Sequence, residues 1–382
     1  RKTAHYGAPA ENRLIHGDNA QAMQALLPEF SEHVRCIYID PPYNTGNTFT
    51  HYQDDAEHAQ WLSFMRERLV LMRALLRQDG VLFISIGDDE AAYLKVLADE
   101  IFGRANYCGS LIWEKKKKPS FLDRNMGSVT EMILAYAKNR SLTGPFTHGH
   151  TTAGKRYPLN NAGNGIRVLR FEAGKVQFNC PDGYYAPQDM SAGNILTRLL
   201  DGFEVRDGKN AQAFRLEGEW RYSQATLDEI MRLEEPLQIS KLPFRPNHIR
   251  PGGTPKKLKN LLNHFHYGMS TYEDATEESR ALFGAAHAFD YPKPEQLIHL
   301  LLNAVTEEGD WVLDAFAGSG TTGAVAHKMN RRWMMIEQGS HCRTHILPRM
   351  QKVIHGQDTG GVSEVTGWRQ GGGFGYYESG FD

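Results

Sequence analysis

Cysteine is scarce in this chain. The four residues, Cys36, Cys108, Cys180 and Cys342, lie far apart and none forms a CxxC pair. That excludes a disulfide framework and a thiolate zinc site, and it fits a reducing, cytoplasmic compartment. Long apolar runs are missing as well: nothing approaches the roughly 18 consecutive residues of a membrane span. The opening segment RKTAHYGAPAENRLIHGDN lacks the apolar centre of a signal peptide. It also lacks an initiating Met, so the chain is expected to be part of a longer protein. Net charge is nearly absent, with 43 Lys and Arg against 45 Asp and Glu. A uniformly basic nucleic-acid binder is therefore excluded, and contact with a polyanion would have to come from local patches such as EKKKKPS and PGGTPKKLKN. No internal repeat is present.

What remains is an ordinary globular composition, 41% apolar and 23% charged over 382 residues, enough for two or three domains. Residues 13–140 alternate strands with helices. RLIH reads as a strand and DNAQAMQALLPEF as a helix with Asp18 or Asn19 as N-cap. VRCIYI is a strand. EHAQWLSFMRERLVLMRALLRQDG carries Trp61, Phe64, Met65, Leu69, Met72 and Leu76 at helical spacing and is expected to end at Gly80. The strand VLFISI, the helix DEAAYLKVLADEIFG and the two strands SLIWEK and EMILAYAK follow. Residues 141–285 are rich in Gly, Asn and Pro, with short strands and weak periodicity, and read as a loop-rich insert. From 286 the α/β pattern returns: KPEQLIHLLLNAVTEEG as a helix with Pro294 near its start, DWVLDAF and RRWMMIEQ as strands, and CRTHILPRMQKV as a helix irregular at Pro348. Strand and helix alternation predicts an α/β sheet.

Two turns carry the chemistry. In VLDAFAGSGTTG, Asp314 ends a strand and Gly318, Gly320 and Gly323 occupy the turn with G-x-G-x-x-G spacing. Taken alone, this also fits a tight strand-to-helix connection. No Lys-Ser/Thr pair follows, so it is not a Walker A loop. An acid before the glycines would repel a pyrophosphate but suits a ligand with an α-amino group. Glu337 ends the next strand, where a carboxylate can take ribose hydroxyls. Acid, glycine turn and acid describe a site for S-adenosylmethionine, which has no phosphate, better than one for NAD.

The second turn is Asp40-Pro41-Pro42-Tyr43, following the strand VRCIYI. It reads either as a Pro-rich turn or as a site. An acid at a strand's carboxyl end sits where α/β sheets bind ligands. The prolines lack N–H groups and have restricted φ, so their carbonyls can face a cleft. A carboxylate and a carbonyl make two acceptors, matching the two hydrogens of an exocyclic base amine, and Tyr43 offers a flat ring for stacking. Polarised in this way, the amine nitrogen could attack a sulfonium methyl directly, helped by positioning and electrostatics. A base buried in duplex DNA would first have to flip out.

With both turns in view, the sequence resembles the amino-methyltransferases of DNA that use S-adenosylmethionine. DPPY comes first, the insert second and DAFAGSGTTG last, the permuted order of the beta class. A closer resemblance, to the modification (Mod) subunit of type III restriction–modification systems, rests on DPPYNTGNTFTHYQDD, WLSFMRERLVLMRALL, DGVLFISIGDDE, EIFGRANYCGSLIWEKKKK, EMILAYAKN, FDYPKPEQLIHLLL and GWRQGGGFGYYE. It covers most of 13–140 and 270–380 and is thin across 141–270. Mod subunits are usually longer than this chain.

The resemblance implies a Rossmann-like α/β methyltransferase fold with circularly permuted motif order and an inserted target-recognition domain. Residues 1–140 would be the catalytic half, 141–285 the target-recognition domain and 286–382 the cofactor-binding half. Asp40, Pro41, Pro42 and Tyr43 would hold the target base. Asp314, Phe316, Gly318 and Gly320 would bind the methionine and sugar part of S-adenosylmethionine, with Thr321 and Thr322 beside it and Glu337 on the ribose. Lys293 and Pro294 would border the methionine end, and Asp18 would contact the cofactor's adenine or serve only as a helix cap. Adenine N6 is the expected target, because the cytosine-N4 enzymes more often begin the motif with Ser. Expected partners are double-stranded DNA, a second copy of the chain and a restriction (helicase/nuclease) subunit, in a bacterial cytoplasm and away from membranes. No metal site is expected. Lys115, Lys116, Lys117, Lys118 and Arg124, in a loop expected between two strands, are candidates for phosphate contact; Lys256, Lys257 and Lys259 are weaker ones. A nicotinamide-dependent oxidoreductase would leave Asp40-Pro-Pro-Tyr43 without a role. A catalytically dead specificity module is at odds with intact Asp40, Tyr43, Asp314 and Gly320.

Overall fold

The computed structural model of the chain describes residues 1–44, 57–118 and 125–379. It divides into two compact units, one formed by Arg1–His148 with Lys257–Asp382 and the other by Gly149–Lys256. No described helix is long and apolar enough to cross a membrane.

The first unit is built on a ten-stranded sheet. Its early strands are β1 (Lys2–Gly7), β2 (Arg13–His16), β3 (Val34–Ile39), β4 (Leu76–Ile86), β5 (Tyr107–Glu114) and β6 (Thr130–Ala137). The early helices are α1 (Asn19–Phe30), α2 (His58–Leu75) and α3 (Asp88–Phe102). Across the sheet the order is β1, Gly373–Glu378, β2, Arg332–Glu337, Trp311–Asp314, β3, β4, β6, β5 and Leu261–Leu262. From β2 to β4 every pairing is parallel, while β6 runs antiparallel to both β4 and β5. This is the Rossmann-like α/β methyltransferase fold expected from the sequence. The strands from the two ends of the chain interleave.

Alternation along β3 explains the layering. Ile37 and Ile39 face one core with Met23 of α1, Met65 and Leu69 of α2 and Leu94 of α3. Cys36 and Tyr38 face the other core with Leu297, Leu301, Val325 and Met350 from the later helices. From Cys36 to Ile39 the strand is buried on both faces, which is why CIYI shows no polar alternation; Arg35, near its start, is only partly buried.

The structure differs from the sequence reading in several places. Helix α2 ends at Leu75 and not at Gly80. Leu76 is buried opposite Val34 and its carbonyl accepts from Lys138 Nζ at 2.8 Å, so residues 76–80 enter strand β4. At Gly80 a Cβ would lie 2.9 Å from two backbone oxygens, so close approach rather than helix termination demands the glycine there. Pro294 is the N-cap of the helix Glu295–Val305. The Gly- and aromatic-rich tail supplies the strand Gly373–Glu378, inserted between β1 and β2.

Residues 257–285, read from sequence as part of the insert, pack in the first unit. Leu261–Leu262 adds to the sheet beside β5, and Trp113 Nε1 donates to the Ser270 carbonyl at 3.0 Å. The helix Tyr272–Phe283 starts on a capping box in which Thr271 and Asp274 satisfy each other's backbone N–H groups. The second unit is therefore narrower than 141–285. It holds a seven-stranded and a four-stranded sheet over one core, in which Phe214 stacks on Phe171 and Phe203 at 5.0 and 4.2 Å between ring centres.

Candidate active site

β3 and Trp311–Asp314 are parallel neighbours, and the chain leaves them in opposite directions. From β3 it passes through α2 on one face of the sheet to β4. From Asp314 it passes through the helix Thr321–Lys328 on the other face to Arg332–Glu337. The crevice beyond the carboxyl ends of such a pair is where open α/β sheets bind ligands. Asp40-Pro-Pro-Tyr43 and the glycine turn both emerge there. They open on a single cavity of about 480 Å³, walled by Asp40, Pro41, Pro42, Tyr43, Lys293, Asp314, Phe316, Gly318, Thr321, Thr322 and Glu337 among others.

The glycine turn is built by backbone geometry. Gly318 and Gly320 have φ of +50° and +78°, a region that costs other residues about 1–2 kcal/mol. At Gly320 a Cβ would also lie 2.9 Å from Ile346. Behind the turn, buried Arg349 donates to the Ser319 carbonyl and to Thr321 Oγ1 and pairs with Glu295 at 2.9 Å, fixing the start of the helix.

Asp314 is 3% exposed and accepts from Thr322 Oγ1 at 2.5 Å and from the Phe316 N–H at 2.9 Å. Burial pushes its carboxyl up to about 7 against those two hydrogen bonds, with Asp40 and Glu337 adding to the rise. Glu337 goes the other way. Burial favours its neutral form, but His341 and the N–H groups of Gly339 and Gly318, at 2.8 and 2.9 Å, hold its carboxyl below the ordinary value. The cavity thus has one acid that is ionised at neutral pH and another poised to take or lose a proton.

At the other turn, Tyr43 does not present a free ring to solvent. Its hydroxyl lies 2.7 Å from Asp40 Oδ1 and 2.6 Å from Glu131 Oε1. Lys293 Nζ donates to Asp40 Oδ2 at 2.7 Å and to the Tyr272 hydroxyl at 2.8 Å, and lies 3.1 Å from Glu131. Burial opposes the Lys293 charge, but Asp40 and Glu131 outweigh it and keep the ammonium protonated. Asp40 is raised by burial, lowered by Lys293 and raised again by Glu131, with a net rise. The Pro42 carbonyl accepts from Trp61 Nε1 at 2.8 Å, whereas no described residue donates to the Pro41 carbonyl.

Three residues assigned by sequence to the cofactor do not wall the cavity. Asp18 caps α1, accepting from the Gln21 N–H at 2.9 Å, and pairs with Arg68 at 3.0 Å; its neighbour Asn19 reaches the wall instead. Arg68 in turn lies 3.5 Å over the ring of Phe64, which meets Phe316 edge-on in the cavity. Gly320 closes the turn as N-cap of the helix Thr321–Lys328 and packs against Ile346, and Pro294 caps its own helix. The lysine run leaves β5, and the Lys115 carbonyl accepts from the N–H of Tyr272, a cavity residue, at 2.9 Å. Lys117 pairs with Asp274 at 2.7 Å. Arg124 lies outside the described residues. Glu131 and Tyr272 escaped the sequence reading. An acid opening the apolar run EMILAYA was the available signal for Glu131; nothing local marked Tyr272.

Known proteins similar to this chain are DNA-modifying ones by name. The chain is 32% identical to a probable type III restriction–modification enzyme Mod subunit, HindVI, of Haemophilus influenzae, over 97% of this chain and 54% of that protein. It is 29% identical to the EcoPI Mod subunit of Escherichia phage P1 over 91% of this chain and 58% of that protein. It is 28% identical to the StyLTI Mod subunit of Salmonella typhimurium over 90% and 53% respectively. The chain spans about half the length of these curated relatives. A family model for DNA methylases matches residues 34–346, a span that begins with β3 and runs past both turns, and the chain belongs to that family.

Proposed function

We propose that this protein transfers a methyl group from S-adenosylmethionine to the N6 amine of an adenine flipped out of duplex DNA. The observation that carries the reading is the convergence of Asp40-Pro-Pro-Tyr43 and the glycine turn on one cavity.

The residues present fit the cofactor. Asp314 is an acid for its ammonium and Glu337 an acceptor for ribose hydroxyls, while Lys293, already hydrogen-bonded to Asp40 and Tyr272, would border its methionine end. The backbone of the Gly318 turn permits close approach. A volume of about 480 Å³ lies within the ordinary range for ligand cavities. When bound, the cofactor supplies an electrophilic methyl carbon on a positively charged sulfur. Asp40 and the Pro41 carbonyl accept the two amine hydrogens, drawing the nitrogen lone pair out of conjugation and aiming it. The Asp40 carboxylate stabilises positive charge as it grows on that nitrogen, and it is the nearest base for the proton the nitrogen then sheds.

The unit Gly149–Lys256 would read the target sequence, and Lys115, Lys116, Lys117 and Lys118 would meet phosphates at the cavity's edge. A homodimer and a restriction subunit as partners rest on the resemblance and on the names of the Mod relatives. A methyl-transfer assay with labelled S-adenosylmethionine and duplex DNA tests the central claim. Digestion to nucleosides should give N6-methyladenine, with transfer abolished in Asp40→Ala. N4-methylcytosine would move the target to cytosine, and equal transfer by both proteins would sink the assignment of the site.

A further inference from the structure

The polar cluster beneath Asp40-Pro-Pro-Tyr43, the jaw that would grip the base amine, holds more short pairings than its protons can fill. Tyr43 Oη meets Asp40 Oδ1 at 2.7 Å and Glu131 Oε1 at 2.6 Å; Tyr272 Oη meets Glu131 Oε2 at 2.8 Å. Lys293 Nζ meets Asp40 Oδ2, Tyr43 Oη and Tyr272 Oη at 2.7, 3.1 and 2.8 Å. Each of these six pairings needs a hydrogen between its atoms. The ammonium brings three and each phenol one, so with both carboxylates ionised one pairing stays empty. The short Tyr43 pairings make the deficit concrete, because one phenol proton cannot serve two carboxylates. Charge points the same way. Two carboxylates and one ammonium leave a net negative charge around Glu131, which is 4% exposed. Among the described residues, the other ionisable groups facing the cluster are Tyr38 of β3 and Asp314 across the cavity, neither of them a cation.

We infer that Asp40 and Glu131 share one additional proton through the Tyr43 hydroxyl, and that Glu131 is a positioning residue whose task is to hold that proton away from Asp40. Resting on the methyl-transfer reading, this gives the jaw a condition for action. A protonated Asp40 has its Oδ1 turned donor toward Tyr43, must crowd the Lys293 hydrogen and the amine hydrogen onto one neutral oxygen, and carries no charge to stabilise the amine. The proton therefore has to reside on Glu131 when the base enters. It gets there without net chemistry: the Asp40 proton passes to the Tyr43 oxygen as the phenol's own proton passes to Glu131. One O–H bond breaks and one forms at the phenol, and the exchange reverses when the base leaves.

Infrared difference spectroscopy of the full chain at neutral pH, without DNA or cofactor, reads the proton directly. Glu131→Gln imitates a protonated Glu131 in shape, and Asp40→Asn does the same for Asp40. Wild type minus either variant should show the same carbonyl stretch of a protonated carboxylic acid, present in wild type alone and shifted in D2O. Glu278, also raised by burial, cancels in both differences; Asp314, whose rise depends in part on Asp40, is removed by recording all three proteins in an Asp314→Asn background. Absence of the band from both differences, or its appearance in one difference alone, overturns the inference. Should a variant fail to fold, carboxyl-labelled wild type read by NMR decides: the two carboxyl carbons must respond to a common titration, and independent titrations overturn the sharing. Methyl transfer is not needed for either readout, so an inactive protein with the shared band would refute the proposed function and leave this inference standing.

Discussion

Asp314 makes cofactor binding depend on pH in a direction the structure dictates. Its carboxyl is pushed up to about 7 by burial, and an ammonium-bearing ligand needs it ionised. The ionised fraction falls from near one at pH 8 to roughly one-tenth at pH 6, so affinity should drop about tenfold, about 1.4 kcal/mol. The ligand's own α-amino group is about half deprotonated by about pH 8, so affinity should peak between about pH 7 and 8. The sign for the ligand-free protein is opposite. A raised carboxyl binds a proton more tightly in the folded state, so its contribution to stability is complete at low pH and fades as pH rises toward about 7. Cofactor binding should therefore raise the thermal midpoint more at pH 8 than at pH 6. Titration calorimetry with S-adenosylhomocysteine, in buffers of different ionisation enthalpy, measures both affinity and protons released. About one proton should leave per ligand bound at pH 6 and few at pH 8. Asp314→Asn should bind weakly and without this pH dependence. Affinity that stays flat from pH 6 to 8 with no proton release would refute the reasoning.

Two further expectations concern charges outside the cavity. Lys328 is fully buried and pairs with Glu295 at 2.8 Å and Asp358 at 3.0 Å; Lys328→Met would leave two buried carboxylates short of a partner and should cost about 3–5 kcal/mol in urea unfolding, Arg349 relieving only Glu295. Replacing Lys115, Lys116, Lys117 and Lys118 together by Ala should weaken binding to every duplex alike and flatten the salt dependence by about 0.9 in logarithmic slope for each phosphate no longer neutralised. A weakening confined to one DNA sequence would show that the run reads bases.

Both turns were legible because their requirements are local. Gly318 and Gly320 need left-handed backbone, and Pro41 and Pro42 need no ladder hydrogen bond, so the constraints are written in adjacent residues. The strands around them were legible for the same reason, being apolar over whole runs. Residues 257–285 were misread because their place depends on distant partners: Leu261 and Leu262 are strand residues only because β5 offers an edge. Tyr272 has no sequence signature, since its part in the site comes from Glu131 and Lys293. The same holds for Asn19, which reaches the cavity while its more suggestive neighbour Asp18 turns to Arg68. The insert's two sheets stayed hidden because none of their strands exceeds six residues, too short for a period to show.

The pairing of β3 with Trp311–Asp314 has a consequence for how the molecule comes into being. Val34 lies opposite Trp311, so one side of the strand that ends in the jaw is completed only after most of the chain has been synthesised. Until then its apolar edge is open, a hazard for an unfinished polypeptide. The closure entropy of so long a loop grows only with the logarithm of its length. The intervening unit also has a core of its own and can fold first, shortening the flexible tether that remains. The cavity is accordingly a late product of folding. A ribosome-bound fragment carrying Asp40-Pro-Pro-Tyr43 but not the glycine turn lacks the wall formed by Asp314, Gly318 and Glu337, and on the proposed function it could hold a methyl donor only once the last parallel strands dock.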